Sequence, residues 1–276
     1  MSMTMDLITS RECKEYLDRG GDLVFVPLGT VERLGPHLPL GARNLVVSAI
    51  AQLLAEKNDG LCLPAIPYGT VYDAFNQPGS MDITPDFMHQ YCWNVCDELV
   101  ANSFKRIVFV SFQEELYYLG HEYFQAYNIA VACLMANAFF NMQDSVAASL
   151  DAHGQELWRL TGCLHAVGNQ EMLDRIFAKT KEMFHVYTPV LNKGKQNLDL
   201  LGGTGHRMSE DEWQFYPVNL GKNLENSSTP FTMPDSALVD QARDELLNWI
   251  DSLTLSISDL TVYQNYLDNT TFKRPL

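Results

Sequence analysis

Two rhythms of apolar residues alternate along the first half of this chain. Short unbroken apolar runs, of the kind buried on both faces of a parallel sheet, are followed by stretches in which apolar positions recur every three or four residues, as on one face of a helix. The run DLVFVPLG, Asp22 to Gly29, predicts a first strand. NLVVSAIAQLLAEK then carries helical spacing, with Asn44 as its cap. LCLPAIPYG, Leu61 to Gly69, predicts a second strand that leaves through two prolines. In ITPDFMHQYCWNVCDELVANSF, Thr84 is placed to cap a helix that has Pro85 in its first turn. KRIVFVSF, Lys105 to Phe112, is the clearest strand signal in the chain. EELYYLGHEYFQAYNIAVACLMA reads as helix through Tyr127, its later part open to a strand. Strand and helix thus alternate three times, which predicts a three-layer α/β/α architecture around a mostly parallel sheet.

The second half is less regular. DSVAASLDAHGQELWRL and NQEMLDRIFAKTKEMF predict two helices, and MPDSALVDQARDELLNWIDSLTLSI predicts a closing amphipathic helix. Between them, Leu198 to Gly221 is a long irregular stretch with aromatics. No Pro/Ser/Gly linker divides the chain, so residues 1–276 are expected to form one α/β domain.

Composition narrows the function classes. With 34 acidic and 19 basic residues, the formal charge is -15. A field of that sign repels phosphate backbones and anionic bilayers, so neither nucleic acid nor membrane is an expected partner. The apolar run Val131 to Phe140 is too short to span a bilayer, and no basic and apolar leader precedes Leu7. The six cysteines are scattered, and Cys92 and Cys96 stand i,i+4 on a predicted helix rather than at zinc-knuckle spacing. They read as buried free thiols of a reducing, cytoplasmic compartment.

Ligands of open α/β sheets bind at the carboxyl ends of the strands. Three stretches qualify: Thr30 to Asn44, Pro67 to Ser80 (which includes Tyr68), and Ser111 to Leu116. The first brings Glu32, the third Glu114 and Glu115. Carboxylates meeting in a cleft can hold a metal or share a proton, and they can equally be solvated loop charges. Ser111 lacks the Gly-x-Ser-x-Gly surroundings of a nucleophile elbow, and LGGTGHR, Leu201 to Arg207, lacks the context of a phosphate loop; His206 is at most a contact there. His153 reads as helical surface, and His121 with Glu122 lies on the helix beyond Glu115.

VPLGTVERLGPHLPLG, LPAIPYG, QPGSMDI and RIVFVSF, in that order, resemble the creatininase (creatinine amidohydrolase) family, and FTMPDSALVDQARDELL resembles its closing segment more loosely. The resemblance implies a creatininase-like fold, a divalent-metal hydrolase ancestry and homo-oligomers, often hexamers. In the family pattern the first strand runs into Glu-x-His, then Gly-Pro-His-Leu-Pro-Leu-Gly and Thr-Asp, with the glutamate, first histidine and aspartate as metal ligands. Here Glu32 is kept, Leu34 stands at the histidine position and Ala42-Arg43 at Thr-Asp. Gln113 stands where a later ligand histidine is found, and Glu115 where a glutamate is found. HAVGNQE aligns with the family's His-Ala-Gly-Glu motif, keeping His165, with Gln170 where a second glutamate falls.

The departures fall on the chemistry. Leucine offers no donor, and Arg43 brings a permanent cation where a bridging carboxylate belongs. The expectation is therefore no bound metal and no other cofactor. An ion-pair network of Arg43 with Glu32, Glu115 or both is expected in its place, which can also be read as a satisfied buried salt bridge without a ligand. Glu32, Glu115 and His165 are the candidate catalytic residues, His165 as a general base or else as a satisfied loop histidine. Arg43, His37, Gln113, Tyr68 and Gln170 are candidate cleft residues, His37 mainly by orienting its Gly-Pro-His turn. Two functions follow: a hydrolase of a small polar or cyclic amide or lactone with a degenerate metal site, or a non-catalytic small-molecule-binding or assembly protein on the same scaffold.

Overall fold

A computed structural model describes residues 4–34, 38–71, 79–113, 116, 129–136, 152–184 and 235–269. Its elements run α1 (Ser10–Asp18), β1 (Leu23–Leu28), α2 (Ala42–Lys57), β2 (Leu61–Cys62), α3 (Pro85–Ala101), β3 (Arg106–Ser111), β4 (Ala130–Met135), α4 (Ala152–Ala166), α5 (Gln170–Phe184) and α6 (Ser236–Asp268). The four strands form one sheet in the order β2-β1-β3-β4, every pair parallel. β1 and β3 are in register from Leu23 opposite Arg106 to Leu28 opposite Ser111, so both strands end at the same level.

The period of two along each strand sorts its side chains into two cores. Leu23 and Phe25 of β1 and Val108 and Val110 of β3 join Val47, Ile50 and Leu54 of α2, Trp158 of α4 and Leu246 of α6. Val24, Val26 and Leu28, with Ile107 and Phe109, face Met88, Cys92, Cys96 and Leu99 of α3 and Tyr16 of α1. Helices therefore cover both faces, the three-layer α/β/α arrangement expected. Tyr16 closes the lower edge of the second core by donating its hydroxyl to the Leu23 carbonyl at 3.0 Å while accepting from the Leu23 N–H at 3.1 Å.

Several local expectations are corrected. α2 begins at Ala42 with Gly41 in the cap position, so Asn44 is inside the first turn. Its side chain instead donates to the Pro67 carbonyl at 3.1 Å, tying the helix start to the second-strand exit. β2 is only two residues long; the Leu63 N–H still donates to the Phe25 carbonyl at 2.9 Å, and beyond Pro64 the chain rejoins β1 through the Leu28–Ile66 bridge, where the Ile66 N–H donates to the Pro27 carbonyl at 2.9 Å. Thr84 does occupy the cap position of α3, but its hydroxyl makes no capping bond. α6 runs on past Ile257 to Asp268, held at its end by Lys105 to Asp268 at 3.1 Å and by the Ala130 N–H donating to Gln264 at 2.8 Å. The irregular stretch from Leu198 to Gly221, with His206, lies outside the described residues, as do His121 and Glu122.

Candidate functional site

β1 ends in Gly29, and that glycine is needed. A Cβ there would collide with the backbone and side chain of Asn44, so only glycine lets the start of α2 lie against the strand end. The chain after it is woven into the β2–α3 connection. The Glu32 N–H donates to the Leu40 carbonyl (2.9 Å), Met81 N–H to Val31 (2.9 Å), Arg33 N–H to the Ser80 hydroxyl (3.1 Å) and Val71 N–H to the Asp82 carboxylate (2.8 Å). These bonds fix Glu32 above the ends of β1 and β3.

Five of the nine buried polar side chains among the described residues gather here: Thr30, Glu32, Thr70, Ser111 and Gln113. Glu32 is 2% exposed. Its Oε1 accepts a hydrogen bond from the Thr30 hydroxyl and forms an ion pair with Arg43 Nη1 at 2.8 Å. Arg43 reaches it from the first turn of α2, its guanidinium 5.2 Å above the centre of the Phe112 ring at the end of β3. A carboxylate this deeply buried has to be matched by a cation and hydrogen bonds, and both are present. Gln113 donates its side-chain N–H to the Thr70 carbonyl at 3.2 Å, and its backbone N–H donates to the Ser111 hydroxyl at 3.0 Å. Gly69 makes room for that amide, since a Cβ at 69 would fall on the Gln113 side chain and on the Gly29 carbonyl. From the opposite helix, Arg159 of α4 pairs with Glu156 at 2.8 Å. Burial pushes the Arg159 guanidinium below its usual value; Glu156 opposes that shift and the positive charge of Arg43 adds to it. Sequence reasoning did not single out Thr30, Thr70, Arg159 or Glu156. A threonine at a strand exit is a weak signal for the first two, and nothing local marks the other pair.

Divalent metal, implied by the family resemblance, does not fit these residues. Among the described residues no three His, Cys, Asp or Glu side chains converge. Leu34 packs against the core, the Gln113 amide is committed to Thr70, and Arg43 already occupies Glu32. An incoming cation has to displace a guanidinium to reach Glu32.

The other predicted residues separate from this set. Glu115 and His37 lie outside the described residues. Tyr68 stands on the second-strand exit, 43% exposed. His165 is not a loop residue: it occupies the last turn of α4, where its Nε2 lies 2.9 Å from Asp240 and 2.9 Å from Arg243 of α6. With Gln170, Phe177, Ser236 and Asp240 it lines a groove of about 480 Å³ that includes none of Glu32, Arg43 and Gln113. Gln170 there donates to Asp174 at 2.8 Å. Along α4, His165 is six residues beyond Arg159, roughly 9 Å further down the helix axis. The six cysteines are free thiols. Burial pushes Cys62, Cys92 and Cys163 up to about 12, and Cys96 higher still.

The sequence profile of the family described as creatinine amidohydrolase matches residues 6–156, more than half of the chain. That span holds every residue of the buried polar set and stops before His165. No curated protein sequence matches. Among solved structures, a tryptophan-to-phenylalanine mutant of creatininase, type II, aligns over 93% of this chain and 99% of its own at 13% identity, with a TM-score of 0.59. A structure described as creatininase Mn aligns over 59% of this chain and 72% of its own at 16% identity, TM-score 0.50. A tryptophan-to-alanine mutant of creatininase aligns over 54% of this chain at 18% identity and a TM-score of 0.47; the chain spans 63% of that relative, less than two thirds of its length. At TM-scores of 0.59 and 0.50 and identities this low, the first two carry the fold alone, and the profile match carries the family. The chain belongs to the creatininase family, as a divergent member without an intact metal-binding cluster among its described residues.

Proposed function

We propose that this protein is a creatininase-like hydrolase whose cleft takes a small polar molecule, a cyclic amide or lactone, and handles it without a metal pair. The supporting observation is the buried polar set where β1 and β3 end. Buried polar groups cost free energy unless partnered, so a strand end kept only for folding tends to be apolar. Glu32 has only Oε1 engaged among the described residues, which leaves Oε2 to accept an N–H or a proton from a ring amide. Arg43 stands beside it as a donor for a carbonyl oxygen that gains charge. Glu115 is proposed as the second carboxylate. Assembly as a homo-oligomer, such as a hexamer, and a cytoplasmic location belong to the same reading; no helix among the described residues is long and apolar enough to cross a membrane.

The test is hydrolysis of a panel of cyclic amides and lactones with and without EDTA, for the wild type and Glu32→Gln. The expected result is turnover that chelation leaves unchanged and that Glu32→Gln abolishes. Turnover that stops on chelation contradicts the metal-free route. A second reading, a non-catalytic small-molecule-binding protein, draws on the commitment of Glu32 Oε1 to two donors at once. It predicts a ligand-induced rise in melting temperature with no turnover on the same panel.

A further inference from the structure

Helices α5 and α6 line a groove of about 480 Å³ beside the last turn of α4. Helical spacing builds it. Gln170, Leu173 and Phe177 stand at i, i+3 and i+7 on α5, and Ser236, Val239 and Asp240 at i, i+3 and i+4 on α6, so each set lies along one helix face. Leu173 and Val239 are buried and Phe177 is half-buried, which gives the groove an apolar floor. Gln170, Ser236 and Asp240 are exposed, with the half-buried His165 beside them. An apolar surface with a few polar groups, in a cavity of this volume, is the general form of a small-molecule site.

The polar groups of the groove favour a cation. Asp240 Oδ1 lies 2.9 Å from His165 Nε2 and accepts from Arg243 Nη1 at 3.1 Å, which holds the carboxylate in place. Its Oδ2 has no hydrogen-bond partner among the described residues, nor has the Ser236 hydroxyl, and the Asp240 side chain is 54% exposed. Gln170 spends its side-chain N–H on Asp174, which leaves its amide oxygen as an acceptor. Arg243 is divided between Asp240 and Asp244, so one guanidinium serves two carboxylates. The positive ends of α5 and α6 are already met by Glu171 in the first turn and by Asp235 at the cap. An anion entering the groove meets Asp240 and no lysine or arginine among the lining residues. A protonated primary amine brings three N–H donors to a set of acceptors.

We infer that this groove binds a small primary ammonium ion carried on a compact apolar body, with the ammonium on the Asp240 carboxylate and the body against Leu173, Phe177 and Val239. His165 and Arg243 position Asp240 for it. The groove includes none of Glu32, Arg43 and Gln113, so this site is separate from the cleft proposed for hydrolysis.

Ligand-observed NMR titration of the full chain with benzylamine and with benzyl alcohol tests this. The two share a ring and a shape and differ in charge. Benzylamine is expected to bind at least tenfold more tightly than the alcohol. Asp240→Asn keeps an acceptor for Arg243 but removes the charge, and it is expected to erase that preference, whereas Glu32→Gln is expected to keep it. Ser236→Lys, at an exposed helix start, puts a tethered ammonium four residues before Asp240 and is expected to abolish benzylamine binding. Equal binding of amine and alcohol by the wild-type protein overturns the inference without reference to any variant, and so does an absence of benzylamine binding. A preference that survives Asp240→Asn or Ser236→Lys, or one that Glu32→Gln abolishes, places the amine elsewhere on this acidic chain and overturns the inference as well.

Discussion

Arg43 Nη1 lies 2.8 Å from Glu32 Oε1, above the strand ends where the creatininase pattern places a metal-bridging carboxylate and a metal-binding glutamate. The arginine comes from the first turn of α2, where a cation faces the positive end of the helix dipole. That unfavourable placement persists because Glu32 is buried and needs a counter-charge more than the helix end resists one.

Removing the cation is therefore expected to cost more than removing the anion. Arg43→Ala strands a buried carboxylate and should lower stability by about 3 kcal/mol, the lower end for breaking a buried pair because Arg43 itself is partly exposed. Glu32→Gln keeps an acceptor for Thr30 and should cost about 1 kcal/mol. Urea denaturation of both variants checks this, and an Arg43→Ala protein as stable as the wild type contradicts it.

Glycine is required at 29 and 69 for close approach. Gly29→Ala drives a methyl into the Asn44 backbone, and Gly69→Ala drives one into the Gln113 amide and the Gly29 carbonyl. Each should destabilise by about 1–3 kcal/mol, the range for overpacking. The same denaturation curves read it, and neutral substitutions contradict the packing described.

Much of the fold was legible because it rests on local pattern. The runs at Leu23–Leu28 and Arg106–Ser111 alternate between two cores, and helix α3 starts at Pro85 as its Thr-Pro signal predicts. What the pattern missed depends on distant partners. Asn44 has the right residue type for a cap but is claimed by the Pro67 carbonyl. The strand expected from Leu61 to Gly69 is regular only over Leu61–Cys62 and meets β1 again at the Leu28–Ile66 bridge. At the site, Glu32 and Arg43 could be paired from the family resemblance and the need to neutralise a buried charge. Arg159 could not, because α4 reaches α2 only through tertiary packing. His165 carried a motif-like neighbourhood into what proved to be the last turn of a helix, beside Asp240.

The buried thiols give a prediction in pH. Burial raises Cys62, Cys92 and Cys163 to about 12, and raises Cys96 as well. At pH 8 a thiol near 12 is ionised to about one part in ten thousand, so iodoacetamide should modify the half-buried Cys13 and Cys133 first. Because the folded value lies above the unfolded one, the unfolded chain holds fewer protons at alkaline pH. The thiol contribution is therefore complete below about pH 8.5 and is lost as pH rises towards 12, by about 1 kcal/mol per thiol per pH unit. Peptide mapping after alkylation checks the first part and melting between about pH 8 and 11 the second; rapid modification of Cys92 in folded protein contradicts both.

Restoring the ligand types should restore affinity for metal. Leu34→His, Arg43→Asp and Gln113→His together add donors around Glu32 and remove the competing cation. Calorimetric titration should show Zn or Mn binding at least tenfold tighter than in the wild type. Unchanged affinity in a folded triple variant contradicts the matching of these positions to the family's ligands. Turnover is not expected to return, since supporting hydrogen bonds around the ligands also matter.

The Arg43 guanidinium balances the buried Glu32 at the carboxyl edge of the sheet, and we propose that it stands there in place of the family's metal ions. Elemental analysis by mass spectrometry of protein purified without chelator tests that claim most directly. Zinc and manganese far below one atom per chain after dialysis is the predicted result. Near-stoichiometric metal that survives dialysis contradicts the account.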